Sequence, residues 1–334
     1  MAKKPSIWII IDHKVGNANQ AIAVAKAMSL TYEVKSLRYN FLGFLPNWLK
    51  FDSLMGVDFA TSSKIEPPYP DIVISSGRKT AAVSNYIKKQ NPASFIVHLM
   101  NPDLPFENFD LVCLPFHDAS PKLQKFDNII YTIGAPTYLD KAKIAEEGKV
   151  LQSKILDLKP PFISLMIGGK TKEGDYTKQE LQWLVSKASQ LANNINGSLL
   201  ITTSRRTDQS NSMELTSYIT APYFFYDWHQ AQAQNNPYLG FLSLSDYFIV
   251  TGESVSICCE TLATGKPVYI YRKENILYKK HIKFLDYLGG LGYTRVLKDE
   301  TSILEKWDYK PLKEADKIFQ VIKEKLNATV TFSS

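Results

Sequence analysis

Asp246-Tyr-Phe-Ile-Val-Thr-Gly-Glu-Ser-Val-Ser-Ile-Cys-Cys-Glu-Thr-Leu-Ala-Thr-Gly-Lys-Pro-Val-Tyr-Ile-Tyr271 holds a complete folding unit in one stretch. Tyr247 to Thr251 is a short unbroken apolar run, the pattern of a strand covered on both faces. Thr251-Gly252 ends it, Ser254 or Ser256 can cap a helix, and that helix reads from about Ser254 to Ala263. Gly265-Lys-Pro267 stops the helix, and Pro267 to Tyr271 is the next strand. This is a βαβ unit, and the free N–H groups of its helix stand at the carboxyl end of the first strand, where they favour an anion. Glu260 lies six residues after Ser254 and four after Ser256, a turn or more into the helix, where it can accept hydrogen bonds from a ribose diol. The local pattern fits an ordinary capped helix equally well.

The same arrangement recurs outward from this stretch. Phe162 to Ile167 is a strand that runs into Gly168-Gly169, and Thr177 to Asn196 is a helix opened by a capping box of Thr177 and Glu180. Ser198 to Thr203 and Tyr223 to Tyr226 follow as strands. In the first half, Ser6-Ile-Trp-Ile-Ile-Ile11 runs into the polar turn Asp12 to Gln20, with a helix from Ala21 to Leu30. Further strands are expected at Tyr32 to Leu37, Asp71 to Ser75, Ser94 to Met100, Asp110 to Leu114 and Ile129 to Ile133. A charged helix from Leu139 to about Leu158 and the stiff Lys159-Pro-Pro161 separate the halves. The predicted architecture is α/β, with two Rossmann-like domains facing a cleft. The expected boundaries are an N-terminal acceptor domain over 1–158, a donor domain over 159–310 and a C-terminal helix over 311–334 that can pack back on the first domain.

Composition limits the choice of function. With 334 residues, 45% hydrophobic and 22% charged, the chain can build full cores and is not a disordered or fibrous protein. A net charge of +6 permits anionic small molecules or an acidic membrane surface, and no nucleic-acid partner is expected. Three cysteines form neither a disulfide framework nor a zinc spacing. No apolar run is long enough to span a bilayer, so the expected location is cytoplasmic, with a peripheral place on the inner face of the membrane as an extension.

Other strand ends carry candidate chemistry. Ser204, Arg205 and Arg206 follow a strand and offer guanidiniums suited to phosphate. Gly168-Gly169-Lys170 leaves room for a close backbone approach but lacks the Walker spacing. In the first half, Asp12, His13, Gly16, Asn19 and Gln20 lie in one turn, Gly77 and Arg78 in another, and His117-Asp118 in a third. Asp12, His13 and His117 are candidate bases. No paired acid of the D-x-D type stands at a strand end, so no metal and no cofactor are expected beyond a nucleotide sugar as co-substrate. Tyr39 to Phe59 is unusually aromatic; it reads as a helix packed on the sheet, or as an interfacial segment that touches a membrane or holds a lipid-linked acceptor.

Taken in order, Asp12…Gly16-Asn-Ala-Asn-Gln20, Ser75-Ser-Gly-Arg-Lys-Thr-Ala81, Phe109 to Asp118, Gly168-Gly169, Thr203-Ser-Arg-Arg-Thr207, and Val250 to Ser256 with Glu260 and Gly265-Lys-Pro-Val268 resemble the bacterial proteins of the mitochondrial-fission ELM-one-like family. The resemblance runs from about residue 6 to residue 297. It implies a GT-B fold and a glycosyltransferase that moves a sugar from a nucleotide-diphosphate sugar to a sugar or lipid-linked acceptor, in cell-envelope glycan or glycolipid synthesis. It implies that Ser254, Val255 and Ser256 meet the donor's diphosphate or base, Glu260 its ribose and Arg205 or Arg206 its phosphates, with Gly168, Gly169, Ser204, Thr251, Gly252 and Glu253 also in the donor site. A scaffold protein that keeps the two-domain shell and a non-hydrolysing nucleotide-sugar epimerase are the alternatives.

Overall fold

The apolar runs pair into two separate six-stranded sheets in the computed structural model, which describes residues 4–50, 52–230 and 236–326. Every strand pairing in both sheets is parallel. The chain divides into two compact units, Met1–Tyr138 with Lys313–Ser334, and Leu139–Leu312.

The first unit contains β1 (Ile7–Ile11), α1 (Val15–Ala27), β2 (Glu33–Ser36), the single-turn α2 (Asn47–Lys50), β3 (Ile72–Ser76), α3 (Arg78–Gln90), β4 (Phe95–Leu99), β5 (Leu111–Pro115) and β6 (Ile129–Thr132). Its strand order is β2-β1-β3-β4-β5-β6. Alternate residues of β1 feed two cores, Ile7 and Ile9 with Ala21 and Val24 of α1, Trp8 and Ile10 with Val83 and Ile87 of α3. A central parallel strand is apolar at every position for this reason.

The second unit contains α4 (Lys141–Gln152), β7 (Phe162–Met166), α5 (Lys178–Asn194), β8 (Ser198–Thr202), α6 (Gln209–Glu214), β9 (Tyr223–Tyr226), α7 (Tyr238–Leu244), β10 (Tyr247–Thr251), α8 (Val255–Leu262), β11 (Val268–Tyr271), α9 (Lys279–Gly290) and β12 (Thr294–Val296). The order β12-β11-β10-β7-β8-β9 places β7 and β10 side by side, so the chain changes winding direction between them. Ligands of open α/β sheets bind outside the carboxyl ends of strands at such a switch point. Thr177 and Glu180 form the reciprocal capping box at the start of α5. The last helix, α10 (Glu314–Leu326), packs against α1 in the first unit; residues 327–334 of the expected C-terminal helix lie outside the described residues.

Three expectations need correction. α1 starts at Val15, so Gly16, Asn19 and Gln20 lie on a helix rather than in a turn. Gly16 without a side chain and the polar Asn19 and Gln20 hide the periodicity, while Ala18 and Ala21 supply the buried face. α4 ends at Gln152, well short of Leu158, and it belongs to the second unit because it packs against α7. The boundary therefore falls at Leu139 instead of Lys159. Finally, Tyr39 to Phe59 is not a packed helix: a 3-10 turn at Phe41–Phe44 and α2 hold Phe41, Phe44 and Trp48 exposed, Phe59 is exposed in a later turn, and Phe51 lies outside the described residues. Among the described residues, no helix is long and apolar enough to cross a membrane.

Candidate functional site

The turn after β7 and the turn after β10 meet at the switch point of the second sheet. Thr251 Oγ1 accepts the N–H of Gly168 at 2.7 Å, and Glu253 Oε1 accepts that of Gly169 at 2.8 Å. Glu253 is fully buried at its side chain and also accepts from the Tyr176 hydroxyl at 2.6 Å. Its carboxylate thus faces into the protein and shapes the loop. Any Cβ at Gly168 would overlap Glu253 Oε1, and one at Gly169 would overlap the Arg206 backbone. These two glycines exist for close approach of three chain segments.

The β8 loop closes on the same point. Ser204 Oγ donates to Gly168 O at 2.8 Å, and the Thr207 hydroxyl donates to the same oxygen. Arg205 and Arg206 are left exposed above this anchored turn. Arg206 lies 3.6 Å from Glu253 and 3.4 Å from Lys170 O, whereas Arg205 makes no ion pair among the described residues. β8 adjoins β7, so both guanidiniums stand at the carboxyl edge that also carries α8.

Ser254 is the N-cap of α8 and makes no side-chain capping bond. The N–H groups of Val255, Ser256 and Ile257 have no acceptor within the helix, and no acidic side chain occupies its first turn. The helix end therefore presents partial positive charge. Glu260, about one turn further on, accepts from the Tyr238 hydroxyl, and burial pushes its carboxyl above the ordinary range. Burial and the adjacent Glu260 also push Tyr238 well up, so this phenol stays a donor.

A second polar knot lies at the end of β9. Asp227, 5% exposed, accepts from the His229 N–H at 3.0 Å and from Thr203 Oγ1 at 3.3 Å. His229 Nε2 in turn bonds Thr207 O at 2.7 Å. Tyr176, Thr207, Asp227 and Tyr238 escape a reading from local sequence because they bond Glu253, Gly168, Thr203 and Glu260, partners 22 to 77 residues away.

In the first unit the corresponding switch point lies between β1 and β3. Asp12 follows β1, is buried, and accepts from the Lys14 N–H at 2.9 Å; His13, Gly16 and Asn19 are exposed and Gln20 is half-buried. Gly77, at φ 86°, packs so closely on Asn17 that a Cβ would overlap its amide. Arg78 opens α3, 3.7 Å from Asp103. His117 and Asp118 form a short turn after β5, with Nε2 3.9 Å from Oδ1. Two strands separate β1 from β5, roughly 14 Å at the usual strand spacing. The three candidate bases therefore do not form one cluster: Asp12 and His13 stand together and His117 apart. Among the described residues, no group of three or more His, Cys, Asp or Glu side chains is arranged to hold a metal ion.

The relatives of this chain agree with the architecture. The uncharacterized protein RP120 of Rickettsia prowazekii is 30% identical over 347 aligned residues, covering 95% of this chain and 98% of that one. The mitochondrial fission protein ELM1 of Arabidopsis thaliana is 26% identical over 283 residues, 78% of this chain, which spans 64% of the plant protein's length. Among solved structures, the UDP-GlcNAc 2-epimerase of Methanocaldococcus jannaschii in complex with UDP-GlcNAc and UDP superposes with a TM-score of 0.53 at 11% identity, covering 96% of this chain and 99% of the other. A UGT transferase from Siraitia grosvenorii in complex with UDP gives 0.51 at 10%, covering 96% and 90%. At such identities the likeness is one of fold, and that fold is GT-B. The sequence profile described as Mitochondrial fission ELM1 matches residues 15–326, and the chain belongs to that family.

Proposed function

We propose that this protein is a metal-independent glycosyltransferase that uses a nucleotide-diphosphate sugar and an acceptor hydroxyl. The observation that carries the reading is the unblocked N-terminus of α8 at a Rossmann switch point, with Arg205 beyond the end of β8, two strands from β10 on the same carboxyl edge, and Glu260 one turn into the helix. The donor diphosphate would lie against the Val255 and Ser256 N–H groups and Arg205, with Arg206 as a second phosphate contact. Glu260, oriented by Tyr238, would accept from the ribose. The C1–O bond to the β-phosphate breaks, the acceptor oxygen bonds to C1, and the nucleoside diphosphate leaves with its charge held by these donors. The acceptor proton passes to a base on the first unit, where Asp12, His13 and His117 stand at strand ends. Gly16, Asn19, Gln20, Gly77, Arg78 and Asp118 would line the acceptor side.

The acceptor is proposed to be a sugar or lipid-linked alcohol of cell-envelope glycan or glycolipid synthesis, met at the inner face of a membrane by a cytoplasmic protein. Thermal-shift titration of the full chain with UDP and with other nucleoside diphosphates tests the donor site. Stabilisation by at least one of them, reduced in Glu260→Ala and Arg205→Ala, is expected. A folded protein that none of them stabilises would sink the reading.

A further inference from the structure

The exposed aromatic segment of the first unit sits on a cluster of cations. Phe41 is 79% exposed, Phe44 69% and Trp48 61%, with Leu49, Met55 and Phe59 also exposed. This is a built surface and not a frayed loop. Fully buried Asn47 donates to Arg78 O at 2.6 Å and Pro102 O at 2.7 Å, fixing α2 over the carboxyl ends of β3 and β4. Asn40 caps the Phe41 turn, and its N–H donates to Gly56 O at 3.0 Å.

Beneath the aromatics, Lys79 Nζ lies 4.0 Å from the Phe44 ring centre and 5.3 Å from that of Tyr39. Lys50 is buried, and its ammonium reaches Gly43 O at 3.4 Å. Neither ammonium has a carboxylate within ion-pair distance among the described residues. Arg78 and Lys79 act on Lys50, and Lys14 and Arg78 on Lys79; Asp12 and Asp103 are the acids that oppose them. Lys50 and Lys79 thus lie under the Phe44 turn, with Lys14 and Arg78 acting on them and Asp12 and Asp103 opposing. A soluble ligand would use the charge but would leave the rings in water. A bilayer with anionic headgroups uses both, since Trp and Phe settle at the headgroup level and basic side chains gain from surface phosphates.

We infer that this rim docks the protein on the surface of an anionic phospholipid bilayer, with Phe41, Phe44 and Trp48 entering the headgroup layer and Lys14 and Arg78 facing lipid phosphates. The inference deepens the membrane-peripheral part of the proposed function and rests on it. The occupant is a lipid surface, chosen by the joint presence of apolar rings and under-neutralised charge; a second copy of this chain would have to bring a complementary acidic and apolar patch.

Co-sedimentation of the full chain with phosphatidylcholine vesicles, with and without phosphatidylglycerol, tests this. Binding to the anionic vesicles only is expected. It should weaken about tenfold or more in the triple variant Phe41→Ser, Phe44→Ser, Trp48→Ser, and fall with Lys14→Glu and with added salt. Tryptophan emission should shift blue on anionic vesicles in the native chain and by a smaller amount in Trp48→Phe. UDP stabilisation of the triple variant should equal that of the native chain, which reports folding and the donor site separately. Equal partition of native and triple-variant protein, equal binding to neutral vesicles, or no vesicle binding by a chain that UDP still stabilises would each overturn the docking surface and leave the nucleotide reading intact. Self-association that the triple variant abolishes, without vesicle binding, would also overturn it and assign the rim to a second copy. Patch-dependent binding by a protein that no nucleotide stabilises would keep the docking surface and sink the enzyme.

Discussion

The buried carboxylate of Glu253 accepts the backbone N–H of Gly169 at 2.8 Å and so ties the turn after β10 to the turn after β7. Its second oxygen takes the Tyr176 hydroxyl at 2.6 Å. Glu253→Ala removes the acceptor for both donors, and unsatisfied buried donors cost about 1–3 kcal/mol each. Urea unfolding should show a loss of that order, with nucleotide affinity falling as the loop loosens. Tyr176→Phe removes one donor only and should cost less.

Gly168→Ala tests the close approach directly. The added methyl overlaps Glu253 Oε1, which is held on two sides and cannot retreat. Overpacking of this kind costs about 1–3 kcal/mol. A melting temperature unchanged by the substitution would mean that the two turns are not locked together.

Arg205 is exposed and makes no ion pair among the described residues, so Arg205→Ala should leave stability unchanged. If it faces a diphosphate, affinity should fall by about tenfold, the effect of one charge-assisted hydrogen bond. Calorimetry with UDP at two salt concentrations reads both the loss and a weaker salt dependence in the variant.

Glu260 has a carboxyl raised above its ordinary 4.5, chiefly by burial. The folded state then holds this proton more tightly than the unfolded chain, so the group's contribution to stability falls as pH rises from 4.5 toward the folded value. Glu260→Gln should flatten that slope in urea titrations across this window and weaken nucleotide binding. Tyr238→Phe should raise the carboxyl further, because the phenol is the donor that lowers it.

His98 supplies an opposite case. Desolvation in the core pushes its imidazole down to about 3, while Nδ1 pairs with Ser75 Oγ at 2.8 Å. The unfolded chain takes up this proton near 6.5, so stability present above that pH is lost as pH falls toward 3. The slope is about 1.4 kcal/mol per pH unit between these values. His98→Asn should remove most of it, as read by unfolding at successive acidic pH values.

Much of the fold was legible in sequence because its physics is local. Central parallel strands must be apolar on both faces, so Tyr247–Thr251 is visible as an uninterrupted run with the bounds it adopts, while Tyr223–Tyr226, at the sheet edge, is legible as a short aromatic run. The capping box at Thr177 and Glu180 closes within four residues, and so was also legible. The candidate donor residues were legible as strand ends, since β–turn–α order alone puts Ser254, Arg205 and Gly168 on one edge of a sheet. The start of α1 was obscured because Gly16, Asn17, Asn19 and Gln20 carry no apolar stripe, although Ala18 and Ala21 find a core to cover them.

What the chain determined by itself was two Rossmann-like halves and a set of anion-suited turns, because periodicity, caps and glycine turns act over a few residues. Tertiary structure alone decided which side chains those turns leave free. It directed Glu253 inward onto Tyr176 and Gly169, paired Glu260 with Tyr238, drew α4 into the second unit through α7, and held Phe41, Phe44 and Trp48 outward above buried lysines. Each of these outcomes depends on groups far apart in sequence that come to compete for the same hydrogen bond or the same volume only when the sheets have formed.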